Sequence, residues 1–274
     1  APPDDFARSF AIFHNVFESA PTLAESVRDV ADVLTDFGAL EKPVQVVSTS
    51  GDGGALAIGL RALLHTIHRR SRVTIMVLVN EIFASIQGES TWAGLPCTFV
   101  RTTSCHLRCV YCDTEHAFQQ GSERRVASIV DEVVALGLPL VEVTGGEPLL
   151  QPSVKALLTA LCDRGLSVLL ETSGAVSIEG VDARVRVILD VKTPGSGEAQ
   201  RNVPANLPRL VPGKDELKLV LCSEEDYRFA KAWLASAALA PGLTVLMSAA
   251  APLLTPAALA EWIVRDRLTV RFQT

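Results

Sequence analysis

From Met76 onward the chain reads as an α/β protein with a mainly parallel sheet and helices on its outside. Three observations predict this. Short apolar runs with strand character alternate with longer segments of helical spacing. Glycine, proline and small polar residues mark the boundaries between them. Polar and charged residues collect just after the strand-like runs, where such folds bind ligands.

Composition bounds the possibilities. The chain has 274 residues, 48% hydrophobic and 20% charged, which suits a globular protein with a sizeable core. A net charge of −6, from 25 basic and 31 acidic residues, offers nucleic acid no broad positive field. No apolar run is long enough to span a membrane, and no secretory signal pattern opens the chain. Six cysteines are too few for a disulfide-built scaffold of this length, so a reducing cytoplasm is the expected compartment.

Residues 1–75 stand apart as an amino-terminal extension of unknown role. The stretch 21–34 has helical spacing with Thr22 as a cap, Val44–Val47 suits a short strand, and Ala55–Arg69 suits a second helix. Ser50-Gly-Asp-Gly-Gly lacks the lysine of a phosphate-binding loop and reads as a linker. His14, His65 and His68 show no metal-ligand pattern.

The character changes at Met76. Val77–Ile86 reads as an opening strand, Gln87–Gly94 as a polar loop, and 97–103 as a strand running into a cysteine-rich loop. Cys97 reads as a packed strand residue. A helix is expected over Ser122–Leu136, closed by Gly137. The apolar run from Leu138 ends in a sharp turn at Gly145-Gly146-Glu147-Pro148. A helix over Ser153–Asp163 exits at Gly165. Strands follow at Ser167–Gly174, Val185–Lys192 and, after a Pro/Gly-rich crossover, Glu216–Cys222. Helix Glu224–Ala238, strand Leu243–Met247, helix Thr255–Arg265 and strand Leu268–Phe272 complete the chain.

The cysteine loop carries the chemistry. Cys105, Cys109 and Cys112 are spaced C-x3-C-x2-C. Thiolates select soft metals and iron–sulfur clusters. Structural zinc would want a fourth ligand, and His106 and Asp113 each adjoin a cysteine, which hinders shared chelation. A [4Fe-4S] cluster on three cysteines keeps one iron open for a small molecule. Gly145-Gly146 permits close backbone approach, and Glu147 points at whatever sits there. Glu171-Thr172-Ser173-Gly174 ends the next strand, with its hydroxyls free either to cap a turn or to bind ligand oxygens. Asp190 and Lys192 share one strand face, as a structural ion pair or as site residues. Lys218 is as consistent with a solvated face as with an inward one.

These residues resemble the radical S-adenosylmethionine (radical SAM) superfamily. Glu81-Ile-Phe-Ala-Ser-Ile-Gln-Gly-Glu, Cys-His-Leu-Arg-Cys-Val-Tyr-Cys-Asp-Thr, Thr-Gly-Gly-Glu-Pro-Leu and Leu-Asp-Val-Lys-Thr-Pro-Gly-Ser-Gly-Glu are, from about Met76 to Gln273, similar to the 7-carboxy-7-deazaguanine synthase family. The resemblance implies a partial or modified TIM-like (β/α) barrel and a cytoplasmic, often homodimeric lyase of queuosine biosynthesis. It implies 6-carboxy-5,6,7,8-tetrahydropterin as substrate and 7-carboxy-7-deazaguanine and ammonia as products. It implies a [4Fe-4S] cluster on Cys105, Cys109 and Cys112, and S-adenosylmethionine at Gly146, Glu147, Ser173 and Lys192. It also implies Mg²⁺ at Thr114, pterin at Gln87, Glu89 and Arg101, and a reductant such as flavodoxin or ferredoxin. Two departures stand out. Residues 1–75 inherit nothing from it, and the family's short Gln/His/Lys-containing tail after Arg271-Phe-Gln is missing.

Two rivals belong to other classes. An activating enzyme for a glycyl-radical partner often has extra ferredoxin-like cysteines, and Cys162 and Cys222 are isolated. A non-enzymatic iron–sulfur or zinc module would cleave no cofactor.

Overall fold

The structure, a computed structural model, describes Gln45–Val46 and residues 74–273. The helices expected over 21–34 and Ala55–Arg69, and His14, His65 and His68, lie outside the described residues. The chain divides between Met76 and Val77 into two units. In the first, strand β1 (Gln45–Val46) pairs in parallel with the first residues of β2 (Thr74–Ile86).

The second unit is built on one open sheet. Strands β2 and β3 (Pro96–Thr102) form an antiparallel hairpin, with Ile86 opposite Pro96 and Glu81 opposite Arg101. From β3 every further step along the sheet path is parallel and in chain order. The strands are β5 (Leu140–Gly145), β6 (Ser167–Thr172), β7 (Arg186–Asp190), β8 (Glu216–Leu221), β9 (Thr244–Ala249) and β10 (Arg271–Gln273). The path is open-ended, so the barrel is partial, as expected.

Strict alternation gives each strand an outer and an inner face. Val141 and Val143, Val168 and Leu170, and Leu217, Leu219 and Leu221 share one face and are all buried. The other face carries Glu142, Thr144, Glu171, Asp190 and Lys218. Near the amino ends of the strands that inner face is apolar. Cys97, Phe99, Leu140, Leu169 and Ile188 pack there with Phe83 and Trp92.

The helices are α1 (Val126–Ala135), α2 (Val154–Asp163), α3 (Glu224–Ser236) and α4 (Pro256–Asp266). In α2, Val154, Leu157, Leu158 and Leu161 recur at i, i+3, i+4 and i+7 and are fully buried. Each contributes roughly 1.5–3 kcal/mol of hydrophobic stabilisation. Gly137 and Gly165 follow α1 and α2 in the left-handed region (φ 72° and 77°), where a side chain would strain the backbone. Thr255 caps α4 through the amide of Ala258 at 3.3 Å, with Pro256 opening the first turn.

One expectation needs correction. The helix expected from Ser122 starts at Val126. Ser122–Arg125 instead forms β4, which pairs with β2. Ser-Glu-Arg-Arg has no apolar side chain for a helix to bury, whereas β2 has an edge to offer it. As the sequence reading has it, helices do not follow every strand. The β6–β7 connection has no helix, and β7–β8 crosses by short 3-10 turns at Pro194–Ser196, Ala199–Arg201 and Pro204–Arg209.

Candidate active site

The cysteine loop leaves β3 and is pinned at once. Thr103 donates its amide to the Leu78 carbonyl (3.0 Å) and Ser104 to the Ala117 carbonyl (2.9 Å). The Ser104 carbonyl then accepts the Glu147 amide at 2.8 Å, and Gly146 donates to Thr102 at 3.2 Å. The loop therefore lies directly on the end of β5. A Cβ added at Gly146 would overlap the Ser104 carbonyl and stand 2.9 Å from the Cys105 Cβ. Only glycine allows this approach, which is the physical reason for the second glycine of the Gly-Gly-Glu-Pro turn.

All six cysteines are free thiols. Cys105, Cys109 and Cys112 are half-buried; Cys97, Cys162 and Cys222 are buried. Burial pushes the Cys105 and Cys109 thiols up from their ordinary value, and Cys97 up to about 12. The Cys109–Cys112 turn closes with a 3.1 Å bond from the Cys112 amide to the Cys109 carbonyl. Arg108 folds back over the Phe118 ring (4.2 Å to its centroid) and donates to the Cys105 carbonyl at 2.8 Å. The segment after β7 holds the loop's other side: Glu198 accepts the Arg108 amide at 2.6 Å, and Ser196 that of Val110 at 3.1 Å. Thr114 Oγ1 stands 3.8 Å from Cys112 Sγ. Among the described residues, no group of three or more His, Cys, Asp or Glu side chains converges as a single-ion site.

Polar groups crowd the same end of the barrel. Lys192 pairs with Asp190 at 2.6 Å, both buried, and lies 5.4 Å from the Tyr111 ring centroid. Burial opposes the Lys192 charge, but Asp190 and the neighbouring acidic groups together outweigh it and raise the ammonium above its ordinary value. Three buried atoms here lack partners: Asp190 Oδ1, Tyr111 Oη and His106 Nδ1. Glu147 is fully buried and saturated. One carboxylate oxygen accepts Leu149 N (3.0 Å) and Thr172 Oγ1 (2.8 Å); the other accepts Ser173 N (2.7 Å) and Ser173 Oγ (2.5 Å). The hydroxyls at the end of β6 are thus turned onto Glu147.

A second constellation lies deeper, and it enters from the opposite end. Since β2 runs against β3, the Gln87–Leu95 loop sits at the amino ends of the parallel strands. Polar groups therefore gather at both ends, not only at the carboxyl ends as expected from sequence. Gln87 and Gly94 close the loop (Gly94 N to Gln87 O, 2.7 Å). The loop is tied to distant strands by Ser90 N to Gln273 Oε1 (2.8 Å) and by Thr91 to Glu216. Its side chains then reach the barrel interior. Gln87 bonds the buried Glu142 of β5. Glu89 meets Lys218 of β8, and Lys218 bonds Glu171 of β6 at 2.6 Å. Glu171 also accepts from Thr144 at 3.2 Å.

The charges there are unequal. Burial holds the Glu142 carboxyl well above the usual range. The neighbouring Glu171 charge, then burial, push Glu89 up to about 7. Burial would raise Glu171 as well, but the Lys218 ammonium overrides it and pulls Glu171 down to about 2. Arg101 gives its Nε to Glu81 at 2.7 Å.

A cavity of about 250 Å³ opens between these groups, lined by Gln87, Glu89, Arg101, Glu142, Thr144 and Glu171, with Phe83 and Phe99 as stacked aromatic rings (centroids 5.1 Å apart). The structure thus brings Gln87, Glu89 and Arg101 to one pocket. Gly146, Glu147, Ser173 and Lys192 lie with the three cysteines around the carboxyl ends. Thr114 adjoins Cys112, while its neighbour Asp113 lines the pocket. The sequence reading passes over Glu142 and Thr144 and leaves the direction of Lys218 open; the structure turns Lys218 inward. For Glu142 the signal is a charged residue set inside an otherwise apolar strand.

Comparison with known proteins bears on family and fold. Residues 99–193 match the model of the radical SAM superfamily. Residues 34–106 match that of the C-terminal TPP-binding domain of thiamine pyrophosphate enzymes, a stretch about half of which lies outside the described residues. The chain is 45% identical over 197 residues to the 7-carboxy-7-deazaguanine synthase of Chlorobaculum tepidum, covering 71% of this chain and 90% of that one. It is 38% identical over 208 residues to that of Koribacter versatilis, covering 70% and 92%. The crystal structure of QueE from Escherichia coli shares the fold, with a TM-score of 0.60 at 20% identity over 73% of this chain and 95% of that chain.

Proposed function

The chain belongs to the 7-carboxy-7-deazaguanine synthase family of radical SAM enzymes, and from that membership we propose that it converts 6-carboxy-5,6,7,8-tetrahydropterin to 7-carboxy-7-deazaguanine with loss of ammonia. The observation that carries this reading is the convergence of Gln87, Glu89 and Arg101 on one pocket beside the cysteine loop.

The residues present fit the cofactors that such a reaction needs. Three free thiols supply soft donors, Gly146 leaves a cradle that a Cβ would fill, and three orphaned buried polar atoms surround the loop. Cys105, Cys109 and Cys112 would hold a [4Fe-4S] cluster, and Gly146, Glu147, Ser173 and Lys192 would surround S-adenosylmethionine. Bound together, these groups would supply one-electron reductive chemistry and hydrogen-atom abstraction from the substrate. With all its acceptor positions taken, Glu147 acts in this site by holding Ser173 and the turn. Lys192 presents a permanent charge. Thr114 would contribute its hydroxyl oxygen to Mg²⁺, with waters and substrate oxygens completing the shell.

The pocket residues orient the ring. Arg101 has its guanidinium fork for the substrate carboxylate. Gln87 and Glu89 meet the ring's amide-like edge, and Phe83 and Phe99 give it an apolar wall. Such restraint matters because a carbon radical reacts with any hydrogen in contact. The electron would come from a reductant such as flavodoxin or ferredoxin, in a cytoplasm that keeps the thiols free. Among the described residues no helix is long and apolar enough to cross a membrane. Residues 1–75 are assigned no part in the reaction.

The test is anaerobic reconstitution followed by mass spectrometry with substrate deuterated at C6. Deuterium is expected in 5′-deoxyadenosine or in S-adenosylmethionine during turnover. Efficient product formation without that transfer would sink the proposal.

A further inference from the structure

One charged group inside the barrel plays no part in the reading above. Lys218 projects from the middle of β8 and is buried. Its ammonium bonds Glu171 Oε1 at 2.6 Å and, on the other side, Glu89 Oε2 of the loop that enters from the amino ends. Both carboxylates line the pocket; Lys218 stands behind them. The charges facing it come from every neighbouring element. Asp190 lies opposite it in register on β7 and is paired with Lys192. Glu142 on β5 bonds Gln87, Glu216 on its own strand bonds Thr91, and Arg101 on β3 is paired with Glu81. The Lys218 ammonium therefore hydrogen-bonds Glu89 and Glu171 alone.

A purely structural pair is the plain alternative. Burying a lysine among carboxylates is a poor way to stabilise a barrel, because desolvation consumes most of the attraction. An apolar side chain at 218 would fill the same space without that cost. The arrangement makes sense if the carboxylates themselves are needed as acceptors on the pocket wall.

We propose that Lys218 is a positioning residue of the ring-binding site, holding Glu89 and Glu171 side by side as acceptors for the adjacent N–H donors of a guanidine-like heterocycle edge. Arg101, on the opposite chemistry, receives the substrate carboxylate. This inference rests on the pterin reading of the pocket. Without the ammonium, Glu89 and Glu171 repel each other and titrate upward. A protonated carboxyl offers a donor where an acceptor is required, and the Glu89 end of the loop loses its anchor.

The test uses the full chain with reconstituted cluster. Lys218→Met and Lys218→Gln remove the charge, and Lys218→Arg keeps it. Binding of 6-carboxy-5,6,7,8-tetrahydropterin and of S-adenosylmethionine is measured by anaerobic calorimetry across pH, with KM and kcat alongside. The neutral variants are expected to weaken pterin binding by about tenfold or more and to raise KM more than they lower kcat. S-adenosylmethionine binding should stay within about twofold of the parent, since its site does not include this couple. The pH midpoint of pterin binding should move up from about 7, and arginine should restore most of the affinity. A parent chain that does not bind the pterin would overturn the substrate reading and this proposal with it. A parent that binds, with neutral variants that bind equally well at an unmoved midpoint, overturns the Lys218 proposal alone. Neutral variants that fail to fold while arginine folds would make Lys218 a structural cation and overturn it as well.

Discussion

Ser173 gives both its amide and its hydroxyl to a single carboxylate oxygen of Glu147, at 2.7 and 2.5 Å. The end of β6 is thereby locked to the turn that ends β5. Two more donors, Leu149 N and Thr172 Oγ1, saturate the other oxygen. Glu147→Ala strands four donors in a fully buried place, so it should cost about 3 kcal/mol or more of stability. Glu147→Gln, which turns one acceptor into a donor, should cost about 1–3 kcal/mol. Urea unfolding midpoints check this, and an alanine variant as stable as the parent would contradict it.

The six cysteines should separate into two classes. Serine at Cys105, Cys109 or Cys112 should abolish both the iron–sulfur absorbance and cofactor cleavage, because each would supply one of three thiolates, with no spare among the buried cysteines. Alanine at Cys97, Cys162 or Cys222 should leave iron content intact and lower stability by about 0.5–3 kcal/mol. Full iron content in a Cys109→Ser protein would overturn the ligand assignment.

Much of this arrangement was legible in the residues themselves. The cysteine spacing and the Gly145-Gly146-Glu147-Pro148 turn could be read because each answers a local demand: soft ligands at short separation, and a backbone with no room for a Cβ. The two-residue period placed Asp190 and Lys192 on one face, and they do pair. Lys218 could not be placed, because its partners Glu89 and Glu171 lie 129 and 47 residues away in the chain. No local pattern encodes such a contact. The same reason hid the loop that enters from the amino ends, since its position depends on the antiparallel pairing of β2 with β3. Ser122–Arg125 was misread because helical spacing further on was extended backward over residues that contribute nothing to it.

Pterin binding should depend on pH through Glu89. The charge of Glu171 and burial push this carboxyl up to about 7 from an ordinary 4.5. Its folded value is the higher one, so the stability it contributes is present at acid pH and is lost as pH rises from about 4.5 to about 7. Binding has the opposite sign, because only the ionised form is a full acceptor for ring N–H groups. Affinity should therefore rise as pH passes through about 7, and Glu89→Gln should flatten that rise. Calorimetric titrations between pH 6 and 8.5, on the order of one unit either side of the midpoint, compare the two. Parallel profiles for parent and variant would exclude Glu89 as the group responsible.

Thr114 offers Mg²⁺ a single hydroxyl, so the ion should bind well only when substrate supplies the remaining oxygens. Chelation should depress turnover and added Mg²⁺ should restore it, while S-adenosylmethionine binding stays unchanged. Thr114→Val should lose the response to Mg²⁺, and Thr114→Ser should keep it. Asp113, which lines the pocket next to Thr114, needs its own Asp113→Asn control. Equal rates with and without the ion would remove Mg²⁺ from the reaction.

Arg101 is committed at one nitrogen only. Its Nε holds Glu81 at 2.7 Å, which fixes the plane of the guanidinium at the pocket wall beside Phe83. A carboxylate met by the remaining N–H groups would gain a charge-assisted, oriented contact worth about 2–3 kcal/mol, or some hundredfold in affinity. Arg101→Ala should therefore raise the pterin Kd by about that factor and leave S-adenosylmethionine binding within about twofold. Lysine cannot reproduce the planar fork, so Arg101→Lys should recover only part of the loss. Glu81→Gln adds a separate test. It removes the charge that holds Nε but leaves the guanidinium, so it should weaken pterin binding less than Arg101→Ala does, by about tenfold or under. If Arg101→Ala bound a pterin lacking the 6-carboxylate and the carboxylated substrate with the same losses, the carboxylate would not be the group that Arg101 recognises.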